Sequence, residues 1–315
     1  MLSVSCGADG APPPATSGPS VVVDTTVPAT VAAPSTEAPE PPLTSVSLPV
    51  TRERPADLPR HNVYRPSDLS SLDRPMPVIV WGNGGCVRHD GTWRPMLERW
   101  AAAGFLVITV AAAEPPVEGE PGAMEPHTAA DQAAGIDWAI AADTRSGDPL
   151  EGRVDVSRIV AAGNSCGGIT ALGIASTDDR VDAVFVLSGS SVFPGASAAQ
   201  AAEVMGEVTA PVAYVVGGPE DLASSMATQD VEQLPPGVGG LVVARHGGDH
   251  VLVSTDPTIL ADVAEIALNW MDLTLYGNET AAATLVDGPC ARCDPDEWTI
   301  TTHELDMASG VGFDE

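Results

Sequence analysis

The run Ile159-Val-Ala-Ala-Gly163-Asn164-Ser165-Cys166-Gly167-Gly168 sets the pattern Gly-x-Ser-x-Gly between a β-branched stretch and an Ala-containing helical one. A serine where a strand turns sharply into a helix stands with its hydroxyl exposed above the strand ends. Glycine two residues to either side lets neighbouring backbone pass where a Cβ would clash. Given a base, such a hydroxyl is a nucleophile. The N–H of the next residue, at a helix N-terminus, faces the negative charge that develops on an attacked carbonyl. A second glycine-rich turn, Gly82-Asn83-Gly84-Gly85-Cys86, ends the apolar stretch Met76-Pro-Val-Ile-Val-Trp81. It has neither the lysine nor the spacing of a phosphate-binding loop, and no Gly-x-Gly-x-x-Gly is present there. Two later turns hold titratable groups: Gly217-Gly-Pro-Glu220-Asp221 offers carboxylates, and His246-Gly-Gly-Asp249-His250 offers imidazoles.

Bringing these turns together is the task of the elements between them. Short β-branched runs at 78–81, 106–110, 159–162, 183–187, 212–216 and 241–244 alternate with helical stretches near 93–103, 128–142, 167–176, 197–208 and 257–275. That alternation predicts an α/β fold, a mostly parallel twisted sheet with helices on both faces. Met96, Leu97 and Trp100 recur at helical spacing and read as a core face. Only the 23 residues 188–210 join two of the strands, room for one short helix. No large cap is therefore expected, and the cleft over Ser165 should be open; Trp81, Trp93 and Trp138 are candidates for its lining or for the core.

The 315 residues include 43 acidic against 14 basic, a formal charge of −29, and every basic residue is arginine. Such a field repels nucleic acid, anionic lipid and polyanionic substrates, which excludes them as partners. Hydrophobic residues make up 44%, which excludes disorder of the whole chain. No apolar run approaches the roughly 18 residues of a membrane-spanning helix. Residues 1–43 are mostly Ala, Pro, Thr, Ser and Val, and the first aromatic residue is Tyr64. They read as a disordered linker, with 44–315 as the folded domain.

The opening Met-Leu-Ser-Val-Ser-Cys6-Gly resembles the end of a bacterial lipoprotein signal, which implies a lipid anchor at Cys6 and a secreted or cell-surface location. The Cys290-x-x-Cys293 pair reads as a disulfide holding Trp298 and its neighbours against the body. As zinc ligands the two cysteines would need partners, and Asp294, Asp296 and His303 are weakly spaced for that. No calcium-loop spacing is seen, and no metal or other cofactor is expected.

Together, Val80-Trp-Gly-Asn-Gly-Gly-Cys86, Gly163-Asn-Ser-Cys-Gly-Gly168, Gly217-Gly-Pro-Glu-Asp221 and the stretch from Gly288 to Trp298 resemble the α/β-hydrolase superfamily. Within it they are similar to secreted serine hydrolases of the cutinase and dienelactone-hydrolase branches, over about residues 64–298. The resemblance implies the α/β-hydrolase fold and a triad in the chain order Ser, acid, His. Ser165 is then the nucleophile. Cys166, in the place some dienelactone-type relatives use, lacks the small residue it would need at position 164, whereas Ser165 has glycine on both flanks. Asp221 is the implied acid, with Glu220 as its alternative; His250 is the implied base, with His246 as its alternative. The oxyanion N–H groups come from Cys166 and from Asn83 or Gly84. Cys86 and Cys166 lie on the two oxyanion loops, either as small buried hydrophobes or as a disulfide. The expected activity is carboxylic-ester hydrolysis of short-chain or accessible esters, polyesters among them. A peptidase or amidase of the same fold, and a catalytically idle surface binding module, are the alternatives.

Overall fold

The β-branched runs build the centre of one sheet. In the computed structural model, which describes residues 42–114, 119–291 and 293–305, nine strands lie side by side. They are β1 Val50–Glu53, β2 His61–Pro66, β3 Met76–Gly82, β4 Leu106–Val110, β5 Val154–Asn164, β6 Ala183–Leu187, β7 Val212–Gly217, β8 Gly240–Arg245 and β9 Trp298–His303. Their spatial order is β1-β2-β4-β3-β5-β6-β7-β8-β9. From β4 to β8 every pairing is parallel, while β1, β2 and β9 join antiparallel at the two edges.

Parallel strands need helical crossovers, and these cover both faces of the sheet. Alternate residues of each strand point to opposite sides, so the apolar runs feed two cores rather than one. Ile79, Val160, Phe185, Val215 and Val243 join one cluster with helices α1 (Arg94–Ala102) and α7 (Pro257–Tyr276). Val80, Ala161, Val184, Tyr214 and Val242 join the other, with α2 (Ala129–Thr144), α3 (Cys166–Ala175), α4 (Ala198–Met205) and α5 (Ser224–Val231). Met96, Leu97 and Trp100 are buried on α1 as their spacing predicts. Trp100 stacks edge-on against Trp81 at 5.5 Å and Phe185 at 5.9 Å.

Local signals start the helices where the chain leaves the strand ends. Thr128 with Asp131, and Ser197 with Gln200, form capping boxes at α2 and α4. Asp256 caps α7 ahead of Pro257, which suits the first helical position. Two further helices, α6 (His250–Thr255) and α8 (Glu279–Asp287), complete the set. Between β6 and β7 the helix is α4 alone, so that connection inserts no large cap.

The described residues belong to one compact unit. Leu43, which composition assigns to the end of the linker, is buried against α7, and its N–H donates to Asp272 Oδ2 at 3.0 Å. The rest of the linker expectation and the anchor at Cys6 fall on residues 1–41, outside the described residues. Among the described residues no helix is long and apolar enough to cross a membrane.

Candidate active site

Strand β5 ends at Asn164 and α3 begins at Cys166, leaving Ser165 alone to reverse the chain. It does so at φ 50° and ψ −117°, a conformation that a residue with a Cβ adopts only when its surroundings enforce it. The enforcement is visible. Ser165 N–H donates to Leu187 O at 2.9 Å, and Asn164 Nδ2 donates to the same carbonyl at 2.9 Å. Glycine flanks are obligatory here: a Cβ on Gly163 would overlap the Gly167 carbonyl, and one on Gly167 would overlap the carbonyl of Gly82. The serine hydroxyl therefore projects above the sheet from a pinned backbone.

The acid and the imidazole arrive from the next strands of the same edge. Asp221 follows β7 and is buried, whereas Glu220 is exposed beside it. His250 follows β8 and opens α6, capped by Asp249. His250 Nδ1 lies 2.9 Å from Asp221 Oδ1, and Nε2 lies 3.0 Å from Ser165 Oγ. With a carboxylate on the Nδ1 side, the ring donates there and accepts the serine proton at Nε2. Asp221 also accepts from Gly217 N–H at 2.8 Å, Ala223 N–H at 2.9 Å and Ser188 Oγ at 2.9 Å. Burial by itself would push the Asp221 carboxyl up. The hydrogen bonds from His250, Gly217, Ala223 and Ser188 outweigh it and hold the group below the usual carboxylate value. A buried anion, an imidazole and a hydroxyl in line can activate that hydroxyl as a nucleophile.

The second glycine-rich turn, Gly84–Cys86, reaches this edge from the end of β3. Gly85 adopts φ 61° and lines the cleft with Ser165 and Cys166. Asn83 and Gly84, the positions expected from the sequence, precede it in the same turn and are buried. The Asn83 amide donates to Val110 O at 2.8 Å and Val87 O at 3.1 Å, so its side chain anchors the turn rather than facing the cleft. Cys86 and Cys166 pair as a disulfide with Cα atoms 5.3 Å apart, which settles the two readings of these cysteines in favour of the cross-link. The cleft, about 300 Å3, has an apolar wall of Ile169, Val192, Phe193, Pro194 and Leu222. Trp81, Trp93 and Trp138 are buried in the cores and do not line it.

Ser188 and Gly85 are among the site residues that sequence reasoning missed. Ser188 follows β6 and sits at φ 41° with its hydroxyl on the acid; the signal was a serine at a strand end beside the strand that bears the carboxylate. Three other histidines are engaged elsewhere. His246 is exposed and faces β9, its Nδ1 2.8 Å from Asp296 O. His61 and His127 are buried against the carbonyls of Asp131 and Asn83, and burial pushes both down, His61 to about 4. Cys290 and Cys293 pair with each other, Cα atoms 5.1 Å apart, and pack in one core with Trp298. No protein-family model and no curated protein sequence matches the chain.

Proposed function

We propose that the chain is a serine carboxylic-ester hydrolase of the α/β-hydrolase superfamily, working through an acyl-enzyme. The observation that carries the reading is the continuous hydrogen-bonded line Asp221–His250–Ser165, drawn from the ends of three parallel strands in the chain order Ser, acid, His. The sheet order, with antiparallel edges and six parallel central strands, and the lone strained serine between β5 and α3 support the same assignment.

In the reaction Ser165 Oγ attacks the ester carbonyl as His250 Nε2 takes its proton. The tetrahedral oxyanion is met by the Cys166 N–H and by an N–H of the Gly84–Cys86 turn, of which Gly85 is the residue lining the cleft. His250 then returns the proton to the departing alkoxide, leaving Ser165 acylated. Water, deprotonated by the same imidazole, releases the acid and restores the hydroxyl. Asp221 holds the ring in the Nδ1–H tautomer and stabilises the imidazolium. Among the described residues the cleft lining includes no arginine and no free carboxylate, which suits a neutral ester. Its open, capless form suits short acyl chains and accessible ester bonds. Two disulfides favour an oxidising compartment outside the cytosol.

A series of p-nitrophenyl esters tests the reading. Acetate to butyrate should be hydrolysed faster than palmitate, with no jump in rate above the micellar limit, and aliphatic polyester more slowly than either short ester. A kcat/KM rising steadily to palmitate would contradict the open-cleft reading. Absence of turnover across the whole series would contradict the hydrolase reading.

A further inference from the structure

Among the described residues Cys86, Ser165, Ser188 and Glu304 have positive φ without being glycine; Ser165 and Ser188 line the cleft, and Cys86 directly follows Gly85, which lines it too. Backbone of this kind persists only where neighbouring structure over-determines it. For Ser165 and Ser188 the restraints are hydrogen bonds into the sheet: Ser165 N–H to Leu187 O, and Ser188 N–H to Val215 O at 2.7 Å. The Gly84–Cys86 turn is held differently. Its outer side is tied by the Asn83 amide and by His127 N–H, which donates to Cys86 O at 2.8 Å. Toward the nucleophile, its covalent tie is the disulfide to Cys166, a residue 80 positions away in the chain.

Both sulfurs belong to residues placed to set the oxyanion hole. Cys166 carries one of the proposed donor N–H groups, and Cys86 directly follows Gly85, the turn residue that lines the cleft. An oxyanion hole works only while its donors stay at hydrogen-bond distance, about 2.7–3.1 Å, from the developing charge. From this placement we propose that the Cys86–Cys166 disulfide is a positioning device for the two oxyanion donors, so that turnover depends on the redox state of this one bond. The inference rests on the hydrolase reading above and adds a control to the same site. A small dithiol would break the Sγ–Sγ bond by supplying two electrons and two protons. Cys86 and Cys166 become thiols, and the reductant closes to its own cyclic disulfide. Cys166 lines the cleft and is only half-buried, which gives the reductant its approach.

The experiment uses the full chain in the background Cys290→Ser/Cys293→Ser, so that of the paired cysteines only Cys86 and Cys166 respond. Turnover of p-nitrophenyl butyrate and inhibition by butaneboronic acid, a tetrahedral adduct former, are measured oxidised, after dithiothreitol, and after re-oxidation. Alkylation and peptide mapping establish that both thiols have opened. Reduction should lower kcat by about 10- to 100-fold, a partial form of losing one oxyanion donor. KM should stay within about twofold, and boronate affinity should fall in step with kcat/KM. Final fluorophosphonate incorporation at Ser165 should remain stoichiometric, and re-oxidation should restore the rate.

Unchanged kcat with both thiols alkylated would overturn the proposal. So would a loss of labelled sites in proportion to lost activity, which would mark the bond as a support of the fold alone. Where dithiothreitol does not open the bond, Cys86→Ser/Cys166→Ser in the same assays must give the same kcat and boronate losses at full labelling. An oxidised protein with neither turnover nor labelling would instead defeat the hydrolase reading, independently of the disulfide.

Discussion

The edge that carries Ser165 and the flank that carries β9 are built from the same kinds of residue, and they use them in opposite ways. Each has a histidine from the loop after β8: His250 lies between a buried carboxylate and a hydroxyl, while His246 is turned to the Asp296 carbonyl and the Thr299 hydroxyl. Each has an acid beside it: Asp221 is buried with four hydrogen-bond donors around it, while Glu297 is exposed and paired with Arg245 at 2.7 Å. Each has a disulfide, one spanning 80 residues between two cleft loops and one spanning 3 within a single turn. Residue type is shared, so the difference lies in restraint. At the site edge, polar groups are buried on backbone held in sparsely populated conformations. At the flank they lie in the loop after β8 and in the segment leading into the antiparallel edge strand β9, and satisfy ordinary carbonyls and salt bridges.

The widest separation between the regions should appear in turnover. Ser165→Ala and His250→Ala should each lower ester hydrolysis by about 10^4-fold or more, and Asp221→Asn by a similar order, because such groups act as a unit. The flank counterpart His246→Ala and the exposed Glu220→Gln should change kcat/KM by less than about threefold. Steady-state kinetics on p-nitrophenyl butyrate checks both sets. Equal losses from His246→Ala and His250→Ala would erase the distinction.

Stability should separate the two disulfides by a smaller margin. Closing a loop of 80 residues removes about 4.5 kcal/mol of unfolded-chain entropy in the simplest treatment, against about 2 kcal/mol for the short loop. Urea unfolding of Cys86→Ser/Cys166→Ser should therefore show a larger loss than that of Cys290→Ser/Cys293→Ser. The reverse order would mean that the C-terminal turn, through Trp298, braces the core more than its loop length allows.

A third, buried histidine provides the mildest test, because it is structural without belonging to the flank. His61 opens β2, and its Nε2–H donates to Asp131 O at 2.7 Å. Burial lowers its value from 6.5 to about 4, opposed by the bond to Asp131. The unfolded chain therefore takes up a proton that the folded chain refuses. Stability from this group is complete above about pH 6.5 and is lost as pH falls toward 4. Between pH 7 and 4.5 the wild type should lose about 2–3 kcal/mol more than His61→Gln, which retains a donor and does not titrate. Parallel urea curves for the two proteins across that window would show that His61 is already solvated in the fold.

Much of the central sheet was legible because a parallel strand buried on both faces reads as a continuous β-branched run. The six runs from 78 to 244 correspond to β3 through β8. The edges were not legible. Val50-Thr-Arg-Glu and Trp298-Thr-Ile-Thr-Thr-His pair on one side only, so nothing in their composition separates them from loop. Helix α5 was hidden for a related reason: Ser224-Ser-Met-Ala-Thr-Gln-Asp-Val buries few large residues. In the site, Ser165 stood out through its glycine spacing, and Asp221 and His250 through the chain order that the resemblance implies; their side chains do meet. Gly85, Ser188, Phe193 and Leu222 did not, because each owes its place to a neighbouring strand end that spacing along one segment does not reveal.

The most direct test of the central claim is intact-mass and peptide analysis after exposure to a fluorophosphonate, which phosphonylates a serine only where that serine is activated as a nucleophile. One adduct per chain is expected, mapped to Ser165, abolished by Ser165→Ala and slowed by orders of magnitude in His250→Ala. An unlabelled folded protein, or an adduct on a serine other than Ser165, would contradict it.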